Sequence, residues 1–219
     1  MKTIAIILVS LLMVLAIWLE IKREKKVKFE TVLKSNELNC VLLQHTNYTI
    51  LFDTVKKSPV WSQYQLTKNQ VKPPKRSTFG YDPLLPNRLQ IPNSSYMALN
   101  FFLDTRDKDV TIDRGHLSPY EDLGESSMLF TNISLQNSHF NENQWVQLED
   151  FVRQLALSND TLEVRTGVIF KDSVIDGYNI PVYYWKRVII KRDIDTLIYK
   201  MPNRSDCGNF KEYLVKTLN

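Results

Sequence analysis

A short polar motif, Asp113-Arg114-Gly115-His116, carries the side chains whose chemistry is easiest to interpret, and Asn141 and Glu149 follow it downstream. An imidazole titrates near neutral pH and can act as a general base. A guanidinium can pair with two phosphoryl oxygens at once, and amide and carboxylate oxygens are ligands that Mg²⁺ accepts. Together these groups are what the hydrolysis of a phosphodiester with one magnesium ion requires.

Asn141 and Glu149 belong to a segment with helical spacing. The apolar residues from Asn143 to Leu157 form one helical stripe, made of Trp145, Leu148, Phe151, Val152 and Leu155. Glu149 lies two helical turns after Asn141, offset by about 80° around the axis, so both can approach one side of a site. The alternative for Asn141 is a helix N-cap, and one side-chain oxygen cannot serve both a cap and a metal. The alternative for Glu149 is an ordinary exposed glutamate.

The motif and its downstream partners resemble a known family. They are joined by the run Thr131-Asn132-Ile133-Ser134-Leu135-Gln136-Asn137, by Trp145 and by Leu148-Glu149. This array resembles the ββα-metal nucleases, specifically the DNA/RNA non-specific endonucleases, over nearly the whole chain from about Cys40 onward. The resemblance implies an α+β domain in which a central, mainly antiparallel sheet carries a ββα-metal finger. It also implies a metal-dependent endonuclease that cuts DNA and RNA with little sequence preference.

The resemblance assigns a role to each candidate catalytic residue. His116 would take a proton from the attacking water, and Asn141 would be the single direct protein ligand of Mg²⁺, a place that Mn²⁺ could also fill. Glu149 would orient the metal's water shell and the neighbouring arginine. Arg114 and, on a looser match, Arg76 would bind phosphate.

Other matched residues are assigned to the scaffold. Asp113 fits a loop-fixing residue better than a metal ligand. Asn132 and Gln136 would brace the loop that enters the helix by hydrogen bonds. Gly167 and Lys186 match scaffold strands of the family, and Trp145 shares the apolar stripe of the core.

The remaining elements have to position this site. Periodicity and β-branched or aromatic content predict strands at 42–53, 60–66, 162–170, 182–190 and 196–201, with a hairpin connection at 56–59. The proline-rich stretch 72–92 predicts an ordered, irregular loop, and the tail 210–218 is compatible with a last helix. Strands, then one well-defined helix, then strands again predict a mixed α+β domain.

The N-terminus predicts a membrane segment. Thr3 to Leu19 form a nearly unbroken apolar run, and no small-residue cleavage pattern follows it, which favours an uncleaved signal anchor over a cleaved signal. We therefore expect residues 1–28 to form an anchor with a basic flank, and residues 38–219 to form the nuclease domain.

Two opposing arguments bear on which side of the membrane the domain lies. The basic run Lys22-Arg23-Glu24-Lys25-Lys26 would keep the following domain in the cytoplasm under the positive-inside rule. A non-specific nuclease there would attack the cell's own nucleic acid. We therefore expect the domain outside the cytosol, in the cell envelope, periplasm or medium, or in the mitochondrial intermembrane space of a eukaryote. The sequence leaves a homodimer open.

The net charge of +4 does not indicate a basic domain. Residues 1–28 carry six Lys and Arg against two Asp and Glu, which leaves 22 of each in the rest of the chain. Bulk charge therefore gives no evidence of nucleic-acid binding. A local basic stretch remains, for which a solvated loop is the alternative: Lys68, Lys72, Lys75, Arg76 and Arg88.

The two cysteines, Cys40 and Cys207, are too few for a disulfide scaffold, although an oxidising compartment would allow them to pair. Since the chain has no Cys-x-x-Cys, a structural zinc site is not expected. The rival to an enzyme is a catalytically inactive nucleic-acid-binding or scaffold protein that kept the fold. Retention of His116, Arg114 and Asn141 together argues against it, because binding alone does not need that set.

Overall fold

The computed structural model describes residues 39–68, 76–105, 110–159, 161–171, 174–190 and 195–218. Its strands are β1 (Cys40–Gln44), β2 (Tyr48–Asp53), β3 (Ser58–Thr67), β4 (Ile112–His116), β5 (Ile133–Asn137), β6 (Thr161–Ile169), β7 (Val174–Ile175), β8 (Tyr178–Asn179), β9 (Tyr183–Ile190), β10 (Asp195–Pro202) and β11 (Leu214–Val215). Its α-helices are α1 (Asn93–Asp104), α2 (Tyr120–Leu123), α3 (Ser138–Phe140) and α4 (Val146–Ser158). Asn141–Trp145 is a π-helical turn, and 3₁₀ turns lie at Asn87–Leu89, Gly124–Ser127, Phe130–Asn132 and Phe210–Tyr213.

A seven-stranded sheet in the order β1-β2-β3-β6-β9-β10-β11 forms the frame of the domain. The pairs from β2–β3 through β10–β11 are antiparallel. Alternation along the strands explains the packing: in β3, Tyr64 and Leu66 are buried and Gln65 and Thr67 are exposed. The predicted mainly antiparallel sheet in a mixed helix and sheet domain is confirmed.

A second, two-stranded sheet carries the polar motif. β4 pairs antiparallel with β5, with Asp113 opposite Gln136 and His116 opposite Ile133. The loop between the two strands is closed by a hydrogen bond from Leu117 N to Asn132 O of 2.9 Å. Since α3 begins directly after β5, the chain here has the ββα order that the sequence predicted.

Helix α1 supports this small sheet and was not predicted. Tyr96, Leu99 and Leu103, spaced for one helical face, are buried with Ile112 of β4 and Leu135 of β5 in a single apolar cluster. Asn100 donates from Nδ2 to Ile112 O at 2.9 Å and accepts from Ile112 N at 2.8 Å. The helix therefore fixes the start of β4, and with it the motif.

The predicted helix begins earlier than expected and is not regular. Asn137 is its N-cap, with Oδ1 accepting a hydrogen bond from Phe140 N at 3.0 Å. α3, the π-helical turn and α4 then follow without a break. Phe140, Trp145 and Tyr184 of β9 pack at interplanar angles of 59 to 69°, with ring centroids 5.4 to 5.9 Å apart, so the irregular turn is held against the sheet.

Other expectations need correction. The strand predicted at 42–53 is two strands, because the chain turns between them with His45 N bonded to Tyr48 O at 2.9 Å. The tail forms a 3₁₀ turn and β11 instead of an α-helix. Cys40 and Cys207, whose pairing the sequence left open, are both buried.

The predicted anchor, residues 1–28, and the lysines Lys72 and Lys75 lie outside the described residues. Within the part of the chain that is described, no helix has both the length and the apolar character to cross a bilayer.

Candidate active site

The five residues predicted to form the site line one cleft of about 390 Å³. They are Arg76, Arg114, His116, Asn141 and Glu149, and Phe79, Tyr120 and Glu121 complete the wall beside them. They come from four separate parts of the chain: the loop before α1, β4, the π-helical turn and α4. The fold therefore places them together, and their catalytic roles stay predictions.

His116 is the last residue of β4, and its imidazole is neutral and makes no hydrogen bond through Nε2 to any residue that the structure describes. Its ring centroid lies 5.1 Å from that of Phe79. Within the described residues, its buried Nε2 has no hydrogen-bond partner. Burial, together with the nearby charges of Arg76 and Arg114, lowers the pKa of His116 to about 4, and Glu121 opposes this shift. At neutral pH the imidazole is therefore uncharged, and one of its nitrogens can accept a proton.

Asn141 is held so that its carbonyl oxygen is free to act as a ligand. Its Nδ2 donates to Asp113 Oδ2 at 2.9 Å. An ionised carboxylate can only accept hydrogen bonds, so the amide nitrogen must face Asp113 and Oδ1 must turn away from it. Because Asn137 caps the helix, the N-cap alternative for Asn141 is wrong.

Asp113 links the motif strand to the start of the helix. Besides Asn141, its carboxylate accepts a hydrogen bond from Ser138 Oγ, which lies 2.8 Å from Oδ1. Both carboxylate oxygens are thus engaged by α3 and the π-helical turn. This agrees with the loop-fixing role predicted for Asp113.

The π-helical turn changes the geometry between Asn141 and Glu149. In a regular α-helix their eight-residue separation leaves an offset of about 80°. A π-turn takes up one extra residue without advancing the helix by a full step. The pair is then arranged as though seven residues separated them, which reduces the offset to about 20°. Both side chains can therefore line the same cleft.

Glu149 is buried, with 8% of its surface exposed, so the alternative of an ordinary exposed glutamate is excluded. Its Oε1 lies 3.3 Å from Nζ of Lys186 on β9. Burial raises the pKa of Glu149, and the Lys186 charge opposes that rise. Lys186, predicted to be scaffold, is thus in direct contact with a cleft residue.

Each arginine of the cleft stacks on an aromatic ring. The Arg114 guanidinium carbon lies 5.4 Å from the Phe79 centroid, and Nη1 donates to Asn93 Oδ1 at 3.1 Å. The Arg76 guanidinium carbon lies 5.2 Å from the Tyr120 centroid. Stacking leaves the edges of a guanidinium available for hydrogen bonds, so both groups are presented for contact with an anion.

Glu121 partly neutralises Arg76, with Oε1 2.5 Å from Nη2. Sequence reasoning missed Glu121, as it missed the two stacking rings. Phe79 and Tyr120 lie near predicted residues in the chain, yet residue type alone does not show which ring faces which guanidinium.

The loop-bracing prediction is confirmed for one residue and wrong for the other. Asn132 accepts from Ser118 N at 3.1 Å and donates to Ser118 O at 2.8 Å and Ser127 O at 3.0 Å. Gln136 is fully buried, and within the described residues neither of its amide atoms has a partner. Instead it packs on Gly115, where an added Cβ would lie 2.0 Å from Gln136 Oε1. The motif therefore requires glycine at position 115, because Gln136 of the paired strand β5 leaves no room for a side chain there.

Comparison with known proteins points to one family. The family model for DNA/RNA non-specific endonucleases matches residues 28–219. A curated relative, the nuclease of Serratia marcescens, is 28% identical over 165 residues, which are 69% of this chain and 59% of the relative. The chain thus spans less than two thirds of that relative's length.

The solved structure of the EndoG/EndoGI complex, described as showing the mechanism of EndoG inhibition, is similar in fold. Its TM-score is 0.63 at 18% identity, and the match covers 86% of this chain and 85% of that chain. At this identity the similarity establishes the fold alone. Because the family model covers all of the described domain, this chain belongs to the DNA/RNA non-specific endonuclease family.

Proposed function

We propose that this protein is a metal-dependent endonuclease that hydrolyses phosphodiester bonds of DNA and RNA with little sequence preference. The observation that carries the proposal is the single cleft that joins a neutral histidine, a free amide oxygen and two exposed guanidinium groups. Membership of the family supports the same class of reaction. The name of the Serratia relative, a nuclease, agrees with it.

The residues of the cleft fit one hard divalent cation. Asn141 Oδ1 is oriented by Asp113, and the Glu149 carboxylate lines the same wall. Within the described residues, no group of three or more His, Cys, Asp or Glu side chains could form a closed cage. Mg²⁺ keeps several waters and needs few protein ligands, so Asn141 suits it as the direct ligand, and Mn²⁺ as a substitute. When bound, the ion would neutralise charge on the phosphoryl oxygens.

The side chains of the protein account for the remaining steps. His116 Nε2, neutral and without a partner, takes the proton from the water that attacks phosphorus. Arg114 pairs with the phosphoryl oxygens, and Arg76 contacts a neighbouring phosphate. Glu149 holds its place beside Asn141 as a buried acceptor. All of these groups address phosphate, which carries no base information, and this accounts for tolerance of both sugars and of any sequence.

The test uses purified protein on plasmid DNA and on RNA, with Mg²⁺, with Mn²⁺ and with EDTA. We expect cleavage of both substrates that EDTA abolishes. His116→Ala should lose about 10²- to 10⁴-fold in turnover, because it removes proton transfer. His139→Ala is the matched control, since His139 is exposed and should keep wild-type rates.

Inactivity of the wild-type protein with both metals would favour the rival, a nucleic-acid-binding or scaffold protein. Near-normal rates in His116→Ala would instead refute the assignment of the base.

We further propose that the domain acts outside the cytosol, held by its N-terminal segment. The apolar run from Thr3 to Leu19 and the hazard of a free nuclease to its own cell support this location. Protease added to intact cells or organelles tests the topology. Digestion of the domain from the cytosolic face alone would invert it, as the basic flank predicts.

A further inference from the structure

Lys186 is a charged side chain in a place where stability alone does not explain it. It is fully buried in β9, between Thr166 of β6 and Tyr199 of β10. Its ammonium lies 3.3 Å from Glu149 Oε1. Removing two charges from water costs several kcal/mol per ion, on the order of what their attraction returns. Apolar residues of the same volume would serve the core as well.

The surroundings of this pair keep Lys186 fixed. Its ammonium lies 4.7 Å from the ring centroid of Trp145, within the range of a cation–π contact. Trp145 belongs to the aromatic cluster that holds the π-helical turn on the sheet. The lysine therefore joins the sheet to this aromatic cluster, and its contact with Glu149 reaches from there to the cleft.

Other charges also face the Glu149 carboxyl. Asp122 disfavours its ionised form and Arg153 favours it. These two form their own ion pair of 3.2 Å, and Tyr64 Oη donates to Asp122 at 2.5 Å. Arg153 is further engaged by Asp150 at 2.6 Å. Since the effects of Asp122 and Arg153 oppose each other, Lys186 is the main charge that opposes the effect of burial on Glu149.

We propose that Lys186 is a positioning residue for the reaction: its ammonium keeps the buried Glu149 carboxylate ionised and fixed at the wall of the cleft beside Asn141. The inference rests on the proposed function for its catalytic meaning. The Lys186–Glu149 contact itself does not depend on that function. An ionised carboxylate accepts hydrogen bonds at both oxygens, whereas a protonated carboxyl group donates a hydrogen bond through its hydroxyl. If loss of the lysine let Glu149 become protonated, one of its oxygens would donate a hydrogen bond where it now accepts one.

The activity test compares Lys186→Met, Glu149→Gln and the double variant over pH 5 to 9 with saturating Mg²⁺. Lys186→Met keeps the volume of the side chain and removes the charge. We expect its acid limb to move upward by about one pH unit or more, with activity partly recovered at high pH. Glu149→Gln should lose activity at every pH. Adding Lys186→Met to it should cost no further turnover, because the partner is already gone.

A thermal unfolding series gives a second readout that needs no activity. Without Lys186, the folded-state pKa of Glu149 rises further above its unfolded value. A glutamate whose folded-state pKa is raised is accommodated in the folded state at low pH, where it is protonated. Its ionisation destabilises the folded state relative to the unfolded state as the pH rises. The melting temperature of Lys186→Met should therefore fall further behind wild type between about pH 4.5 and 8. The double variant, which lacks the carboxyl, should show no such trend.

A loss of activity that is equal at all pH values, together with a constant difference in melting temperature, would reduce Lys186 to a packing residue. If Lys186→Met does not fold at neutral pH while the double variant does, the unpaired carboxylate is the cause and the proposal stands. A wild type without nuclease activity would end the proposed function. The unfolding series would still decide whether Lys186 governs Glu149.

Discussion

His116 and Phe79 show how neighbouring residues set the chemistry of a base. The ring of Phe79 lies 5.1 Å from the imidazole and 5.4 Å from the Arg114 guanidinium. It excludes water from His116 and supports the cation beside it. Both effects favour the neutral imidazole, so the proposed base stays unprotonated at pH values where an exposed histidine would be protonated.

Phe79→Ser should make this protection measurable. Water would reach the imidazole, and the pKa of His116 would rise from about 4 toward its ordinary value of about 6.5. Below that value the base is protonated, so activity at pH 5.5 should fall relative to activity at pH 8. Phe101→Ser is the control, because Phe101 is 76% exposed on α1. An acid limb that does not differ between the two variants would contradict the role of Phe79.

At the scale of single residues, the sequence was informative where chemistry restricts the residue type. His116, Asn141 and Glu149 could be predicted because few side chains replace an imidazole, an amide oxygen or a carboxylate. Phe79 and Lys186 could not be assigned their contacts. An aromatic ring or a lysine has many uses, and only tertiary packing decides among them.

The elements position the site through close packing between strands. β4 and β5 pair side by side, and at Gly115 the Gln136 side chain of β5 occupies the space of a Cβ. The motif strand can therefore lie against its partner only if it has no side chain at this position.

Gly115→Ala should disrupt the small sheet. The added Cβ would lie 2.0 Å from Gln136 Oε1 and 2.6 Å from Gln136 Cβ, so β4 has to move. We expect a melting temperature lower by several degrees and a large loss of activity. Gly80→Ala is the control, because nothing lies within 4 Å of a Cβ there. Combining Gly115→Ala with Gln136→Gly should recover part of the lost melting temperature and part of the lost activity. A double variant no better than Gly115→Ala would show that the clash is not the cause.

Elements with a strong period of their own were predictable, and those that depend on distant contacts were not. β3, β6 and β9 were predicted closely. α1 was missed because Tyr96, Leu99 and Leu103 are buried only through β4 and β5. The turn between β1 and β2 has neither glycine nor proline to mark it.

The whole domain has no net charge, so its affinity for nucleic acid has to come from the cleft. The formal charge of +4 resides in residues 1–28. Of the two arginines in the cleft, Arg76 already pairs with Glu121. If the proposed function holds, we therefore expect long-range attraction between domain and substrate to be weak and contact at the scissile phosphate to dominate binding.

A shallow salt dependence should follow. Two guanidinium groups that meet phosphate give a slope of about −2 in a plot of log affinity against log salt on duplex DNA. Fluorescence anisotropy with His116→Ala in EDTA and increasing KCl measures it without cleavage. A slope of about −5 or steeper would mean that lysines beyond the cleft, such as Lys72 and Lys75, also bind phosphate.

The π-helical turn makes chain length between Asn141 and Glu149 a property of the active site. Deleting Asn143, whose Nδ2 donates to His139 O, would let the segment relax into a regular α-helix in which a seven-residue separation keeps the offset at about 20°. Inserting one residue at the same place would instead rotate Asn141 by about 100° relative to Glu149. The insertion should therefore abolish cleavage and the deletion should retain it, while circular dichroism reports the helix in both variants.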